Sequence, residues 1–363
     1  MDQITFNSAL LHSRLRPPRI SLFALRTMPQ IILSTGKSFE AAIGCSILDA
    51  AARAHITLPY SCKTGRCSSC KCKVISGSTS PLDIEAGLTE QEQADGWILS
   101  CVRAAETDLR LEVDDLGSID LPPPKTWPCR IADIKPLARS VLQVMLRLPP
   151  GAEFPFIPGQ YIDVIGPNGI RRSYSLANSN FDDKVLELHI AAVNGGAMSE
   201  FWFRKAKPND LLRLNGPLGT FFLRDVTHKD LFFLATGTGI APVKSMLESL
   251  GGIQSDRRPK STTVIWGGRH TQDLYMNVAA FPEGVKYVPV LSRGESEWQG
   301  ATGYVQDVLL ATRPNIENAA VYACGSDAMI HSAKKRLIEA GLLERQFLSD
   351  AFVSSGTILN RKL

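Results

Sequence analysis

The sequence predicts a multidomain α+β and α/β chain: a small mixed domain, an antiparallel β-barrel domain and a parallel-sheet domain. Three observations carry this. At 363 residues the chain has room for two or three domains of ordinary size. A Pro-rich run, Leu121-Pro-Pro-Pro-Lys125, interrupts it with a stretch that favours an extended linker. Past residue 228 the hydrophobic period changes, from alternating apolar and polar positions to short, almost continuously apolar runs.

Composition narrows the function classes. The hydrophobic set is 44% and charged residues 21%, ordinary for a soluble globular chain and far from disordered or fibrous composition. A net charge of +4 is too small to argue for nucleic acid, and no apolar run approaches the ~18 residues of a membrane helix. No signal-peptide core precedes a small-residue cleavage site, so a cytoplasmic location is expected. Residues 1–27 hold Arg14, Arg16, Arg19 and Arg26 against Asp2 and show no sustained periodicity. They read as a leader, either a start placed upstream of Met28 or, less favoured, a transit peptide.

The elements follow in order. Gln30–Leu33 reads as a strand and Ser46–Ala54 as a short helix with Ser46 at its N-cap. Leu109, Leu111 and Val113 alternate with polar neighbours, the period of a half-buried strand. Domain one is therefore drawn at 28–116, followed by a linker at 117–127. In domain two, 128–227, the alternating runs 142–148 and 186–190 are separated by Pro167-Asn168-Gly169 and Asn194-Gly195-Gly196, the grammar of an antiparallel sheet or small barrel. In domain three, 228–353, Leu231–Ala235, Thr263–Trp266, Val288–Leu291 and Ala320–Ala323 lack a polar face. Helical stretches at 243–250 and 328–340 lie between them, which indicates a parallel sheet covered on both sides. Residues 354–363 are drawn as a tail.

Four of the eight cysteines fall between Cys62 and Cys72, a metal-site pattern rather than a disulfide framework in a chain this long. Cys62-x4-Cys67-x2-Cys70, with Cys101 thirty residues on, is the plant-type spacing for a 2Fe–2S cluster. Three thiolates from one loop must converge on a compact anionic core; Gly65 lets the loop turn, and Ser68 and Ser69 are small enough to lie against it. Structural zinc sites usually pair two short C-x2-C knuckles, and only one occurs here. Cys72 reads as a packed strand residue, and Cys45 and Cys129 as structural thiols.

Arg172-Ser-Tyr174-Ser175 is a second signal. Arg172 can clamp a diphosphate, Tyr174 on the same strand face can stack on an aromatic ring, and Ser175 can hydrogen-bond a ring nitrogen. Alone the pattern is weak, since an ordinary edge strand explains it equally well. Gly196-Ala197-Met198-Ser199 adds a glycine turn opening a helix, whose amides can take a phosphate. The third signal is Thr236-Gly237-Thr238-Gly239-Ile-Ala-Pro242, directly after an apolar strand: a strand, a glycine turn and a helix with Pro in its first turn form a nucleotide-phosphate cradle. Cys324-Gly325 lies at the carboxyl end of another parallel strand, where open sheets bind ligands; a buried strand-end thiol is the equal alternative for Cys324.

In that order these motifs resemble the ferredoxin–NADP reductase superfamily. With a plant-type ferredoxin in front, the chain resembles bacterial reductases of the fused iron–sulfur flavoprotein type over about residues 28–353. Within them it is similar to the CDP-6-deoxy-Δ3,4-glucoseen reductases, through Pro158-Gly-Gln-Tyr161, Arg172-Ser-Tyr-Ser175, Gly216-Pro-x-Gly-Thr-Phe-Phe222, Ala241-Pro-Val-Lys-Ser-Met246, Tyr322-Ala-Cys-Gly-Ser326 and Ser349-Asp-Ala-Phe352. The resemblance implies a β-grasp ferredoxin domain, an antiparallel β-barrel FAD domain and a parallel-sheet NAD(P) domain. It implies that Cys62, Cys67, Cys70 and Cys101 hold a 2Fe–2S cluster, and that Arg172, Tyr174, Ser175, His189, Ile190 and Gly196–Ser199 hold FAD. Gly237, Thr238, Gly239, Pro242, Arg293, Cys324 and Gly325 would then meet the nicotinamide nucleotide, with Ser175, Cys324 and Phe352 at the reacting rings. A hydride carries two electrons and a 2Fe–2S cluster passes one at a time, so a flavin is required between them.

Ser292-Arg293 follows the strand ending at Leu291, and NADPH-using members of the superfamily carry such a pair for the 2′-phosphate. Glu295 and Glu297 would repel that phosphate, so NADH is the expected donor and NADPH the alternative. The expected partner is an electron-accepting enzyme: a pyridoxamine-phosphate dehydrase of CDP-3,6-dideoxyhexose synthesis or, alternatively, a ring-hydroxylating or phenol-type oxygenase. A non-catalytic redox sensor is disfavoured, because it needs no hydride donor.

Overall fold

The structure is a computed structural model that describes residues 28–352 except 114, 118, 120, 278–280 and 295. The leader, the tail, residue 353 and Glu295 lie outside the described residues.

The first unit is a β-grasp domain. Strands β1 (Gln30–Leu33), β2 (Ser38–Glu40), β3 (Lys71–Ser76), β5 (Trp97–Leu99) and β7 (Leu109–Glu112) form one sheet in the order β2-β1-β7-β3-β5, while β4 (Thr79–Pro81) pairs with β6 (Arg103–Ala105). β1 and β7 run parallel, Ile31 facing Leu109 and Leu33 facing Leu111, so their alternate apolar residues share one buried face. Helix α1 (Ile47–Arg53) lies on that face. Ser46 caps it by accepting from Asp49 N at 3.0 Å, and Ile47, Leu48, Ala50 and Ala51 are buried. Helix α2 (Glu90–Ala94) is held by a capping box between Thr89 and Glu92.

The second unit is an antiparallel barrel of β8 (Lys125–Ala138), β9 (Val141–Arg147), β10 (Tyr161–Ile165), β11 (Arg171–Ser175), β12 (Val185–Ala191) and β13 (Leu211–Leu218) in the order β11-β10-β13-β8-β9-β12. A Leu176–Leu188 bridge joins the two edges. Val144, Leu146, Leu186 and Leu188 fill the interior, each fully buried. The linker ends earlier than the sequence suggests: Lys125, Thr126 and Trp127 already pair with Gly216, Asn215 and Leu214 of β13. Once the proline run ends, ladder hydrogen bonds are open to the chain again.

The third unit has all its strands parallel: β14 (Asp230–Thr236), β15 (Ser261–Gly268), β16 (Val285–Leu291), β17 (Ala301–Thr302), β18 (Ala319–Ser326) and β19 (Phe347–Phe352), ordered β17-β16-β15-β14-β18-β19. Two separate apolar clusters lie on the two faces, one beneath α4 (Ile240–Ser249), the other beneath α5 (Val305–Ala311) and α6 (Asp327–Glu339). That is why these strands have no polar face in the sequence. Among the described residues, no helix is long and apolar enough to cross a membrane.

Candidate functional site

Between Arg53 and Lys71 the chain forms a loop without helix or strand, and the cysteines sit on it. Gly65 takes φ +71°, and a Cβ there would lie 2.3 Å from the Ile84 carbonyl oxygen, so only glycine allows the 84–87 segment to close over the loop. The four thiols fall into two pairs. Cys70 Sγ and Cys101 Sγ are 3.2 Å apart, and Cys62 N donates to Cys67 Sγ at 3.4 Å. The hydrogen bond from Cys67 holds the Cys62 thiol down at about 5 against the effect of burial, while Cys67 is pushed up by the same bond and by its own burial. Cys70 likewise holds Cys101 down and is itself raised.

Among the described residues, no three or more His, Cys, Asp or Glu side chains gather around one ion position. Two thiol pairs suit the two irons of a 2Fe–2S core. Cys72 is fully buried in β3, where burial pushes its thiol up to about 12.

On the barrel, Arg172 and Tyr174 project from one face of β11 and Ser175 from the other, where it is buried. Tyr174 is oriented by Trp202, whose indole N–H donates to its hydroxyl at 3.0 Å with the rings edge to face. Trp202 lies on the single wide turn Phe201–Lys205 that continues α3 (Ala197–Glu200), so the Gly196–Ser199 turn is brought up to Tyr174. Ser199 Oγ accepts from Val193 N at 2.8 Å. A half-buried Arg172 donates to the Arg171 carbonyl at 2.7 Å. Of two further residues expected at the flavin, the His189 ring is bonded to Glu187 and Tyr275, and Ile190 packs in the barrel core.

On the third unit, the Gly237–Gly239 turn leaves β14 and feeds α4, as a nucleotide cradle requires. A Cβ on Gly239 would stand 2.1 Å from the Cys324 carbonyl oxygen, so the turn sits directly on the end of β18. Thr236 Oγ1 accepts from Ser326 N at 3.1 Å across the same gap. It is the backbone of Cys324 that the turn meets; the thiol is fully buried in the sheet core, and burial pushes its pKa well up. Arg293 is exposed just beyond β16, where Ser292 N bonds the Gly268 carbonyl at the end of β15. Phe352 ends β19 with 38% of its surface exposed.

The three units meet at residues whose roles sequence reasoning did not find. Ser61, next to the first cluster cysteine, donates through its hydroxyl to the Asp350 carboxylate on β19, and its backbone carbonyl accepts from the Tyr161 hydroxyl of the barrel at 2.6 Å. Tyr60 and Thr220 exchange bonds of 2.8 and 3.0 Å, and Ser69 Oγ reaches Ser349 O at 3.3 Å. Cys67 itself is buried in the apolar cluster of the third unit. Burial pushes the Asp350 carboxyl up to about 6 although the Ser61 bond opposes it. Ser61 and Asp350 are 289 positions apart, and no short-range pattern couples them.

Comparisons with known proteins agree with this division. Residues 31–106 match the 2Fe-2S iron-sulfur cluster binding domain, 128–223 the oxidoreductase FAD-binding domain and 233–335 the oxidoreductase NAD-binding domain. The chain is 41% identical to CDP-6-deoxy-L-threo-D-glycero-4-hexulose-3-dehydrase reductase of Yersinia pestis, over 85% of this chain and 94% of that one. It is 30% identical to reductase component 1 of terephthalate 1,2-dioxygenase from Comamonas sp., over 88% and 96%. Among solved structures it superposes on the Amycolatopsis cytochrome P450 reductase with a TM-score of 0.70 at 27% identity, covering 90% of this chain and 99% of that one.

Proposed function

Because the chain belongs to the family of fused reductases that join a 2Fe–2S ferredoxin domain to FAD- and NAD-binding domains, we propose that its acceptor is the dehydrase of CDP-3,6-dideoxyhexose synthesis. The observation that carries this is the 41% identity along 94% of a reductase named for that dehydrase. The enzyme is an NAD(P)H-dependent oxidoreductase, with NADH the proposed donor and the cytoplasm its proposed location.

When bound, the nicotinamide supplies a hydride, the flavin divides its two electrons, and the cluster relays them singly. The chain's own residues set the order. Gly237–Gly239, Pro242 and Gly325 would hold the nucleotide against the end of β18, with Cys324 beneath it. Arg172, Tyr174, Ser175 and Gly196–Ser199 would hold FAD, with Phe352 over its ring. Cys62, Cys67, Cys70 and Cys101 would hold the cluster. Ser61, bonded to both Tyr161 and Asp350, keeps the cluster loop on the seam between the barrel and the parallel sheet, so electrons need not cross open water between units.

The test is acceptor reconstitution. NADH, this enzyme and the pyridoxamine-phosphate dehydrase loaded with its CDP-sugar should consume nucleotide in proportion to reduced sugar, and a ring-hydroxylating or phenol-type oxygenase should draw no current above background. Turnover with the oxygenase and none with the dehydrase would replace this acceptor by the alternative.

A further inference from the structure

One buried carboxylate on the barrel reaches both ends of the nucleotide cradle. Glu187 lies on β12, 7% exposed. Its Oε2 accepts from Lys244 Nζ at 2.9 Å; its Oε1 pairs with His189 Nε2 at 2.9 Å and accepts from Gln143 at 2.7 Å. Lys244 sits on α4, five residues past Gly239, and its remaining donors go to the Ala177 carbonyl at 2.9 Å and to Glu248 at 2.7 Å. Ala177 is two residues past Ser175. The first arm therefore ties the helix that begins at the glycine turn to the strand end that carries the flavin motif.

A second arm leaves through His189. Its Nδ1 meets the Tyr275 hydroxyl at 3.1 Å, the Tyr275 ring packs edge-on against Trp266 at 5.1 Å, and the Trp266 indole N–H donates to the Gly237 carbonyl at 3.0 Å. Two independent chains of contact thus run from one carboxylate to Gly237 and to Lys244, bracketing the cradle. Burial pushes the Glu187 carboxyl up, but the bonds from His189, Gln143 and Lys244 and the Lys244 charge outweigh it and hold it down at about 2. Structural support alone rarely calls for such a site, because a well-packed apolar pair would serve stability as well or better.

We propose that Glu187 is a positioning residue for hydride transfer: through Lys244 and through His189–Tyr275–Trp266 it holds the nucleotide cradle in register with the flavin barrel. The proposal rests on the reading that the barrel carries FAD and the cradle the nicotinamide. Hydride transfer requires near-contact of the reacting atoms, and a displacement of about 1 Å can cost roughly a hundredfold in rate.

The test compares wild type with Glu187→Gln/Lys244→Met, which removes the ion pair without leaving a lone buried charge, and with Tyr275→Phe, which cuts only the second arm. In the double variant with FAD bound, the limiting rate of anaerobic flavin bleaching by NADH should fall about 10- to 100-fold, with less than a threefold change in half-saturating NADH. Without nucleotide, amide hydrogen exchange over residues 237–246 should quicken. A flavin-replete double variant that bleaches within twofold of wild type would overturn the proposal. Should it fail to hold flavin, Tyr275→Phe decides: a fall of threefold or more supports the clamp, and an unchanged rate overturns it. A wild type that NADH does not bleach would overturn the underlying reading and the proposal with it.

Discussion

Arg293 shows how far a single residue can be read. Its place after Leu291 was legible because apolar strand β16 ends there, and the structure leaves it exposed at the carboxyl edge of the sheet. If it lies beside the adenosine ribose, its guanidinium meets a phosphate in NADPH and only hydroxyls in NADH. Arg293→Ala should then lose about 1.5–3 kcal/mol with NADPH, roughly ten- to a hundredfold in kcat/KM, with NADH nearly unchanged. Steady-state kinetics with both nucleotides and ferricyanide measure this, and wild type should prefer NADH. An equal loss with both would assign Arg293 to the diphosphate or the fold. The cysteines were legible for a different reason: ligand spacing on one loop is local geometry. Their division into two pairs was not, because Cys101 comes from beyond β5.

Secondary structure was legible wherever one period ran unbroken. The alternation at 142–148 became β9 and the continuous run at 231–235 became β14, each within a residue or two of its bounds. The glycine turn between β14 and α4 invites a test at this scale. Gly239→Ala would place a Cβ 2.1 Å from a backbone carbonyl, where no side chain can give way, and overpacking of this kind costs about 1–3 kcal/mol. NADH KM should rise roughly five- to a hundredfold while flavin content holds. Gly251→Ala, whose Cβ meets nothing within 4 Å, should behave as wild type. Equal effects from the two substitutions would show that the close approach to Cys324 does not matter to the cradle.

Across the whole molecule, several polar contacts join the cluster loop to the barrel and the parallel sheet, beside the apolar packing of Cys67. Each such bond contributes about 1 kcal/mol. Ser61→Ala/Tyr161→Phe should therefore loosen the docked ferredoxin domain and lower NADH-driven cytochrome c reduction about three- to thirtyfold. Ferricyanide, which takes electrons from the flavin directly, should be reduced at the wild-type rate. A parallel fall with both acceptors would place the damage at the flavin instead.

By itself the sequence determined the three-unit architecture, the cysteine loop and the two glycine turns. Each depends on hydrophobic period, proline or glycine backbone preference, or ligand spacing within about a dozen residues. The tertiary structure alone decided what joins them: Ser61 with Asp350, Tyr60 with Thr220, Glu187 with Lys244, and His189 with Tyr275. It also decided that the His189 ring joins the interdomain network and that Ile190 packs in the barrel core. Polar partners separated by tens to hundreds of positions leave no periodic trace. Their pairing is set by how sheets stack and helices dock, and burial then requires that each donor find whichever acceptor the packing has placed beside it.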